Sequence, residues 1–429
     1  MRITKFRIGG IANIDDIVLN LTSINSLIAL NNYGKTNVLT AIDFGIKFIK
    51  ASLGTKQNMM RYVPLIPVKN KIANKPFFFS IEGDIIRDDK TINQFIYEYS
   101  FEWIKNNKEA GQKIIFEKLS IKEDGNSRFS TFIDRNDNKA QYKPSTTGRC
   151  DRKLVVDKDA LILDKIIHFD ELYWLDVVKK IATSKVLSID TMQNPNELFL
   201  VFNPKLNTSN YSVDVSGKFE IGFFIYSLKK LHPDYFELYK NGIRVLLPKI
   251  EDFDPVEIDF KEKSTLDNNE NIPFSLPDKI YQVQLKESHT NQQISINYLS
   301  SGSKRLFYIL AMAIGARINR IPLIMFEELE NSIHPQLFDS LLSILTNICE
   351  DTKILMTSHS PYIMNYLNLS SIMVGVPNND GLAHFKNIKA SKHKKMNKNA
   401  SDEGVSIGDY IFSMMIDATN GDEFINEIC

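Results

Sequence analysis

Leu27-Ile28-Ala29-Leu30-Asn31-Asn32-Tyr33-Gly34-Lys35-Thr36-Asn37-Val38-Leu39 is an apolar run that breaks into a short polar loop, reaches Gly-Lys-Thr, and then begins an apolar-periodic helix. This is the layout of a phosphate-binding loop. Backbone N–H groups at a helix N-terminus point at an anion, and the helix dipole favours negative charge there. Lys35 would reach the β- and γ-phosphates of a nucleotide, and the Thr36 hydroxyl would hold Mg²⁺. The usual pattern is G-x-x-x-x-G-K-[ST], and Ala29 stands where its first glycine belongs. Asn32 tolerates left-handed backbone, so a loop of this shape remains open to the sequence.

Working outward, Ile24 to Leu30 reads as a central strand feeding the loop, and Asn37 to Lys50 as the helix after it. Upstream, residues 2–8 alternate charged and apolar side chains, which reads as an edge strand, with Asp16 to Leu21 as its hairpin partner. From about residue 76 the texture becomes β-rich and aromatic, with turns such as Glu123-Asp124-Gly125-Asn126. It predicts an antiparallel meander over roughly 76–145. Residues 160–185 and 218–245 carry helical patterns. Prolines punctuate the middle of the chain and argue against a long coiled coil. Glu251-Asp252-Phe253-Asp254 reads as an acidic solvated loop, and residues 261–276 as a polar loop. Lys279 to Lys286 alternates cleanly, pairs with Gln293 to Ile296, and is expected to return the chain to the nucleotide sheet.

Three further stretches carry chemistry. Leu299-Ser300-Ser301-Gly302-Ser303 precedes a helix expected from about 303 to 318, and its hydroxyls and N–H groups suit a second anion site. Ile321 to Phe326 is a short apolar strand ending in Glu327-Glu328. Of two such carboxylates, one can hold or orient Mg²⁺ and the next can polarise an attacking water. Like charges so close cost stability unless a cation compensates them. Lys353 to Thr357 is a further strand, followed by Ser358-His359-Ser360-Pro361. His359 would lie at the same sheet edge as the acidic pair, where open α/β sheets bind ligands, and would sense the γ-phosphate or orient water.

Composition narrows the class. The chain has 429 residues, 43% hydrophobic and 24% charged, with a formal net charge of zero. That is room for two or three domain-sized units and an ordinary globular balance, without a global field steering it to nucleic acid or membrane. Cys150, Cys349 and Cys429 are too few and too scattered for a disulfide framework or zinc site, which suits a reducing cytoplasm. The longest apolar run, Leu306 to Ala316, is too short to span a bilayer, so no membrane partner is expected. Lys386, Lys389, Lys392, His393, Lys394, Lys395 and Lys398 form an acid-free run that reads as a solvated mobile loop, with phosphate-backbone binding as the alternative. Ser406 to Phe412 resumes as a terminal helix.

The order of phosphate loop, Leu-Ser-Ser-Gly, Phe-Glu-Glu-Leu-Glu-Asn-x-Ile-His-Pro and Thr-Ser-His-Ser-Pro resembles the ABC-type ATPases of the SMC/RecF/OLD-like group. It is most similar to the AAA branch found in bacterial anti-phage defence, including the ATPase component of PARIS-type systems. Coverage is roughly residues 1–50 and 279–376. The resemblance implies an α/β fold, an ABC-type P-loop ATPase with a mixed β-sheet core, an antiparallel β subdomain and a mostly helical insertion. The corresponding divisions are an N-terminal ATPase lobe with the β meander over 1–150, a mainly helical insertion over 151–278, and a C-terminal lobe over 279–429.

It also implies roles. Asn31, Asn32, Tyr33, Gly34, Lys35, Thr36 and Asn37 would be the Walker A loop binding ATP. Ser300, Ser301 and Gly302 would be the signature that meets ATP held by another protomer, giving a head-to-tail homodimer or higher homo-oligomer. Glu327, with Thr36, would hold Mg²⁺; Glu328 would be the general base; His359 would be the switch histidine. Ala29, Asn32, Glu327 and a serine in place of one usual glycine of the signature depart from the family's usual residues, and bear on the rate of hydrolysis more than on ATP binding. Only 70 residues follow His359, without an Asp-x-Asp after an apolar strand, so no nuclease is expected on this chain. The function implied is an ATP-hydrolysing sensor or scaffold that controls a separate, nuclease-like effector. The alternative is a RecF/SMC-like DNA-binding ATPase of DNA processing or repair.

Overall fold

The computed structural model describes residues 1–87, 90–105, 113–136, 139–190, 221–259, 279–331, 333–375 and 380–417. The loop expected over 261–276 lies outside them. The chain folds as two compact units. The first comprises Met1–Ser188, Ile321–Glu327 and Asp351–Cys429, and the second Ile189–Arg320 and Glu328–Glu350.

The first unit contains two sheets. Strands β1 (Arg2–Ile11), β2 (Ile14–Asn20), β4 (Phe77–Ile86), β5 (Ile92–Phe101), β6 (Ile114–Lys122), β7 (Ser130–Asn136), β8 (Lys139–Tyr142) and β9 (Arg152–Leu154) form an antiparallel sheet in the order β2-β1-β4-β5-β6-β7-β8-β9. The meander predicted over 76–145 is therefore present as β4 to β8. β1 is not the expected edge strand, because it lies between β2 and β4. Its alternation reports one solvated and one covered face: Arg2, Thr4 and Arg7 are exposed, whereas Ile3, Phe6 and Ile8 are buried.

The second sheet has the order β10-β14-β15-β3-β16-β17, with β3 (Ile24–Ala29), β10 (Val186–Asp190), β14 (Leu323–Glu327), β15 (Lys353–Ser358), β16 (Ile372–Gly375) and β17 (Phe385–Asn387). β14, β15, β3 and β16 run parallel, and β17 closes the edge antiparallel to β16. Helix α1 (Lys35–Lys50) follows β3 directly. Its Phe44 and Phe48 pack on Phe77, Tyr99, Phe101 and Trp103 of the antiparallel half. A side chain at Gly45 would run into the Phe79 ring at 2.2 Å, so α1 lies close on β4.

Three short helices follow in this unit. α2 (Leu53–Met60), α3 (Ile162–Ile166) and α4 (Leu175–Ala182) flank the core. Fully buried Lys56 ties the end of α1 to α3: its ammonium donates to Ala51 O (2.8 Å) and to both Asp164 oxygens (2.9 Å). Fully buried Glu117 accepts from the Leu163 N–H (3.0 Å), the Ile162 N–H and the Tyr97 hydroxyl (2.9 Å), satisfying the start of α3. Both tryptophans of the chain lie here, Trp103 donating to Gly10 O (2.7 Å) and Trp174 to Lys143 O (2.8 Å).

In the second unit, α5 (Ile221–Leu231) and α6 (Pro233–Leu246) precede β11 (Ile250–Asp259), β12 (Lys279–Glu287) and β13 (Ile294–Ser295); α7 (Ser301–Ile318) and α8 (Pro335–Cys349) complete it. Phe253 sits edge-on to Phe236, Tyr239 and Phe307, and the Tyr239 hydroxyl donates to Phe307 O (2.8 Å). Two expectations fail here. β12 and β13 do not join the nucleotide sheet but form a separate sheet with β11. Alternation identifies a strand's faces and leaves its partner open; β12 pairs along its whole length with β11, and Lys279–Glu257 and Lys286–Glu251 bridge the two strands. Residues 251–254 are not a solvated loop but part of β11, where Asp252 is bonded to Lys240 and Arg244 and Asp254 to Lys229.

The first unit ends in α9 (Ala390–Asp402) and α10 (Ile407–Asp417). The lysine run expected to be a mobile loop is therefore β17 and α9, and Met396 and Ala400 give that helix a buried anchor that charge alone conceals. Among the described residues, no helix is long and apolar enough to cross a membrane.

Candidate functional site

β3 is buried along nearly its whole length because it lies between β15 and β16. Its last residue is Ala29, which has ordinary strand backbone and no need of glycine. The chain turns afterwards. Asn32 takes φ +61 and Gly34 φ +98, and α1 begins at Lys35. The two left-handed positions fall on a residue type that tolerates them and on one that is free of the cost. No side chain caps α1, and its first turn holds no acid, so the N–H groups there suit an anion.

The loop is held from three sides. Lys35 is buried, and its ammonium donates to Ala29 O (2.8 Å) and Leu30 O (3.1 Å). Tyr33 is buried and meets Phe385 of β17 edge-on at 5.9 Å, and a side chain at Gly375 would strike both rings. Asn13, in the β1–β2 turn, accepts from Asn37 Nδ2 (2.8 Å) through its side chain and from the Ala383 N–H (2.9 Å) through its carbonyl. A Cβ at Gly34 would lie 2.8 Å from Asn13 Oδ1. Sequence reading missed Asn13, because an asparagine after a strand signals only a turn.

Thr36 is exposed, and its hydroxyl donates to the Glu327 carboxylate. The sequence separates these residues by 291 positions, and the adjacency of β14, β15 and β3 brings them together. A hydroxyl and a carboxylate side by side are hard oxygen ligands suited to Mg²⁺. Exposed His359 follows the last residue of β15 and so leaves the same sheet end as Glu327 and the loop. Asn31 and Asn32 are exposed on the loop surface.

The other candidate residues belong to the second unit. Ser300 caps α7, accepting from the Ser303 N–H (3.2 Å). Ser300 and Ser301 are exposed at that helix start, with Gly302 half-buried behind them. Glu328 is half-buried with φ +50, a backbone position that a non-glycine residue seldom takes. Its carbonyl accepts from the Asn331 N–H (3.0 Å). Arg305, buried one turn into α7, donates to Asn331 O (2.8 Å) and so links the start of α7 to the turn that begins at Glu328. This arginine also escaped sequence reading, since its partner is a backbone carbonyl.

Residues 209–365 match the family model described as "AAA domain, putative AbiEii toxin, Type IV TA system". That stretch, less than half of the chain, includes Ser300–Gly302, Glu327-Glu328 and His359 but not the Lys35 loop. Among solved structures, the chain is similar to an SmcHead bound to the C-winged helix domain of ScpA. The identity is 12%, over 92% of this chain and 100% of that one, with a TM-score of 0.51. It is also similar to an Smc head domain with an extended coiled coil, bound to the C-terminal domain of ScpA derived from Pyrococcus furiosus. There the identity is 11%, over 93% and 99% of the two chains, with a TM-score of 0.49. No curated protein matches. The fold is the SMC-head-like ABC-type P-loop ATPase fold, α/β with mixed and antiparallel sheets and helices.

Proposed function

We propose that the chain binds ATP with Mg²⁺ at the β3–α1 loop and hydrolyses it. It would act in the cytoplasm, as a sensor or scaffold that assembles copies of itself and controls a separate effector in anti-phage defence. The observation that carries the nucleotide reading is the Thr36–Glu327 contact beside buried Lys35. Lys35 and the N–H groups of the Gly34–Asn37 turn would hold the β- and γ-phosphates. Thr36 and Glu327 would hold Mg²⁺, which when bound neutralises phosphate oxygens. Glu328 would take the proton of the attacking water, and His359 would contact the γ-phosphate end.

The exposed hydroxyls of Ser300 and Ser301 at the start of α7 support pairing with ATP on a second copy. Support for the defence role comes from the motif resemblance, together with the toxin named in the matched family description. The SmcHead structure holds a domain of ScpA, which supports a protein partner for a fold of this kind.

The test is the mass of Glu328→Gln by light scattering with and without ATP and Mg²⁺. A larger species that forms only with ATP is expected. An unchanged mass with ATP bound at saturation would overturn the paired reading, and no ATP binding by the unmodified protein would overturn the site itself.

A further inference from the structure

We propose that the outward face of α9 is a binding surface for the phosphate backbone of duplex DNA. It lies outside the nucleotide residues and does not depend on the ATP reading. Lys394, Lys395 and Lys398 are exposed on the face opposite buried Met396 and Ala400, and Lys389 is exposed at the helix start. No acid occurs between Asp380 and Asp402. Among the described residues, Lys389, Lys392, Lys394, Lys395 and Lys398 form no ion pair, unlike Lys229 of α5, Lys240 of α6, and Lys279 and Lys286 of β12, which are paired with acids. Lys394 and Lys398 stand one turn apart, a like-charge spacing that costs an isolated helix a few tenths of a kcal/mol. In a chain of zero net charge, this concentration is local.

The face is also rigidly presented. Met396 and Ala400 share an apolar cluster with Ile28 of β3, Val374 of β16, and Tyr410 and Ile411 of α10. Asn399 Nδ2 donates to the Tyr410 hydroxyl (3.0 Å).

The chemistry of the face selects among polyanions. Besides lysine, the exposed residues of α9 are Ala390, Ser391, Asn397, Ser401 and, at its last position, Asp402, with no large apolar side chain to enter a bilayer. They include no aromatic ring to stack on the bases of a single strand. Lysine is depleted at protein–protein interfaces, where aromatic residues and arginine carry the binding. From Lys389 to Lys398 the helix advances about 13 Å at roughly 1.5 Å per residue. A DNA duplex presents about one phosphate charge per 1.7 Å of axis, enough for every lysine of the face to find one.

The test uses the full chain and fluorescently labelled random-sequence duplex DNA, with anisotropy read over a range of salt concentrations. Binding should weaken linearly in log salt, with a slope near 0.9 per phosphate neutralised. Lys394→Glu/Lys395→Glu/Lys398→Glu should weaken binding more than about tenfold, and the Gln triple variant should lower the salt slope by about two to three. Unchanged far-ultraviolet circular dichroism and urea unfolding of both variants report that the fold is retained. Duplex RNA, single-stranded DNA and anionic vesicles form the comparison arms. Variants that bind duplex DNA as the unmodified chain does would overturn the assignment, as would stronger binding in any comparison arm or no binding to duplex at low salt.

Discussion

The Lys35 ammonium lies 2.8 Å from the carbonyl oxygen of Ala29, so the cation of the loop is anchored on the last residue of its own strand. It is buried as well, so its two carbonyl partners replace water. A triphosphate at the α1 N-terminus would offer this cation charged oxygens in place of neutral ones.

Lys35→Ala should therefore lower ATP affinity by at least about tenfold, the equivalent of one charge-assisted hydrogen bond. Titration calorimetry with ATP and Mg²⁺ measures it. Thermal unfolding should change little, because the alanine also removes the need to satisfy a buried ammonium. Unchanged affinity would remove Lys35 from the site.

Asn13→Ala should weaken ATP binding by about threefold to tenfold through loss of the Asn37 contact, while Lys35 and Thr36 stay in place. The same titration reads it. Asn13→Asp keeps the acceptor but sets a carboxylate against the anion site and should weaken binding further than the alanine, whereas a merely steric role in the β1–β2 turn would not separate the two variants.

Glu117 governs a pH dependence. Burial pushes its carboxyl up to about 7 from 4.5, against the Ile162 and Leu163 N–H groups and the Tyr97 hydroxyl, which favour the ionised form. Between those values the native state holds a proton that the unfolded chain has lost. The stability this group contributes is full below about pH 4.5, declines as pH rises to about 7, and is level above. Glu117→Gln keeps an acceptor for α3 and removes the ionisation. Urea midpoints at about pH 5 and about pH 8 should differ less for the variant than for the unmodified chain.

Lys56→Met should destabilise the first unit by up to about 3 kcal/mol, measured by urea unfolding. The loss falls short of that for a fully buried pair, because Asp164 is one-third exposed and still accepts from the Leu161 N–H. Little change would mean that the methionine packs as well as the ion pair it replaces.

What was legible in the sequence was local. Gly34, Lys35 and Thr36 announce the loop by adjacency, and β3, α1, β14 and β15 follow from apolar period and length. The motif counts positions and sets Ala29 where a glycine belongs, whereas the backbone assigns Ala29 to the strand and the turn to Asn32 and Gly34. Asn13 and Arg305 were hidden because their contacts run to residues distant in the chain, and neither residue type announces such a partner. The sheet that β12 and β13 join is hidden for the same reason: a period of two fixes faces and leaves the neighbour open. Charge alone makes the lysine run a solvated loop, and the two isolated anchors that make it a helix face, Met396 and Ala400, are inconspicuous in a polar stretch.

Trp103 and Trp174 both hydrogen-bond within the antiparallel half of the first unit, and the chain has no other tryptophan. Intrinsic indole fluorescence is therefore a spectroscopic label built into one unit, whereas far-ultraviolet circular dichroism also receives α5, α6, α7 and α8 of the other. Denaturation curves followed by the two signals coincide only if the units melt as one cooperative block, and their separation would measure how independently each unit stands.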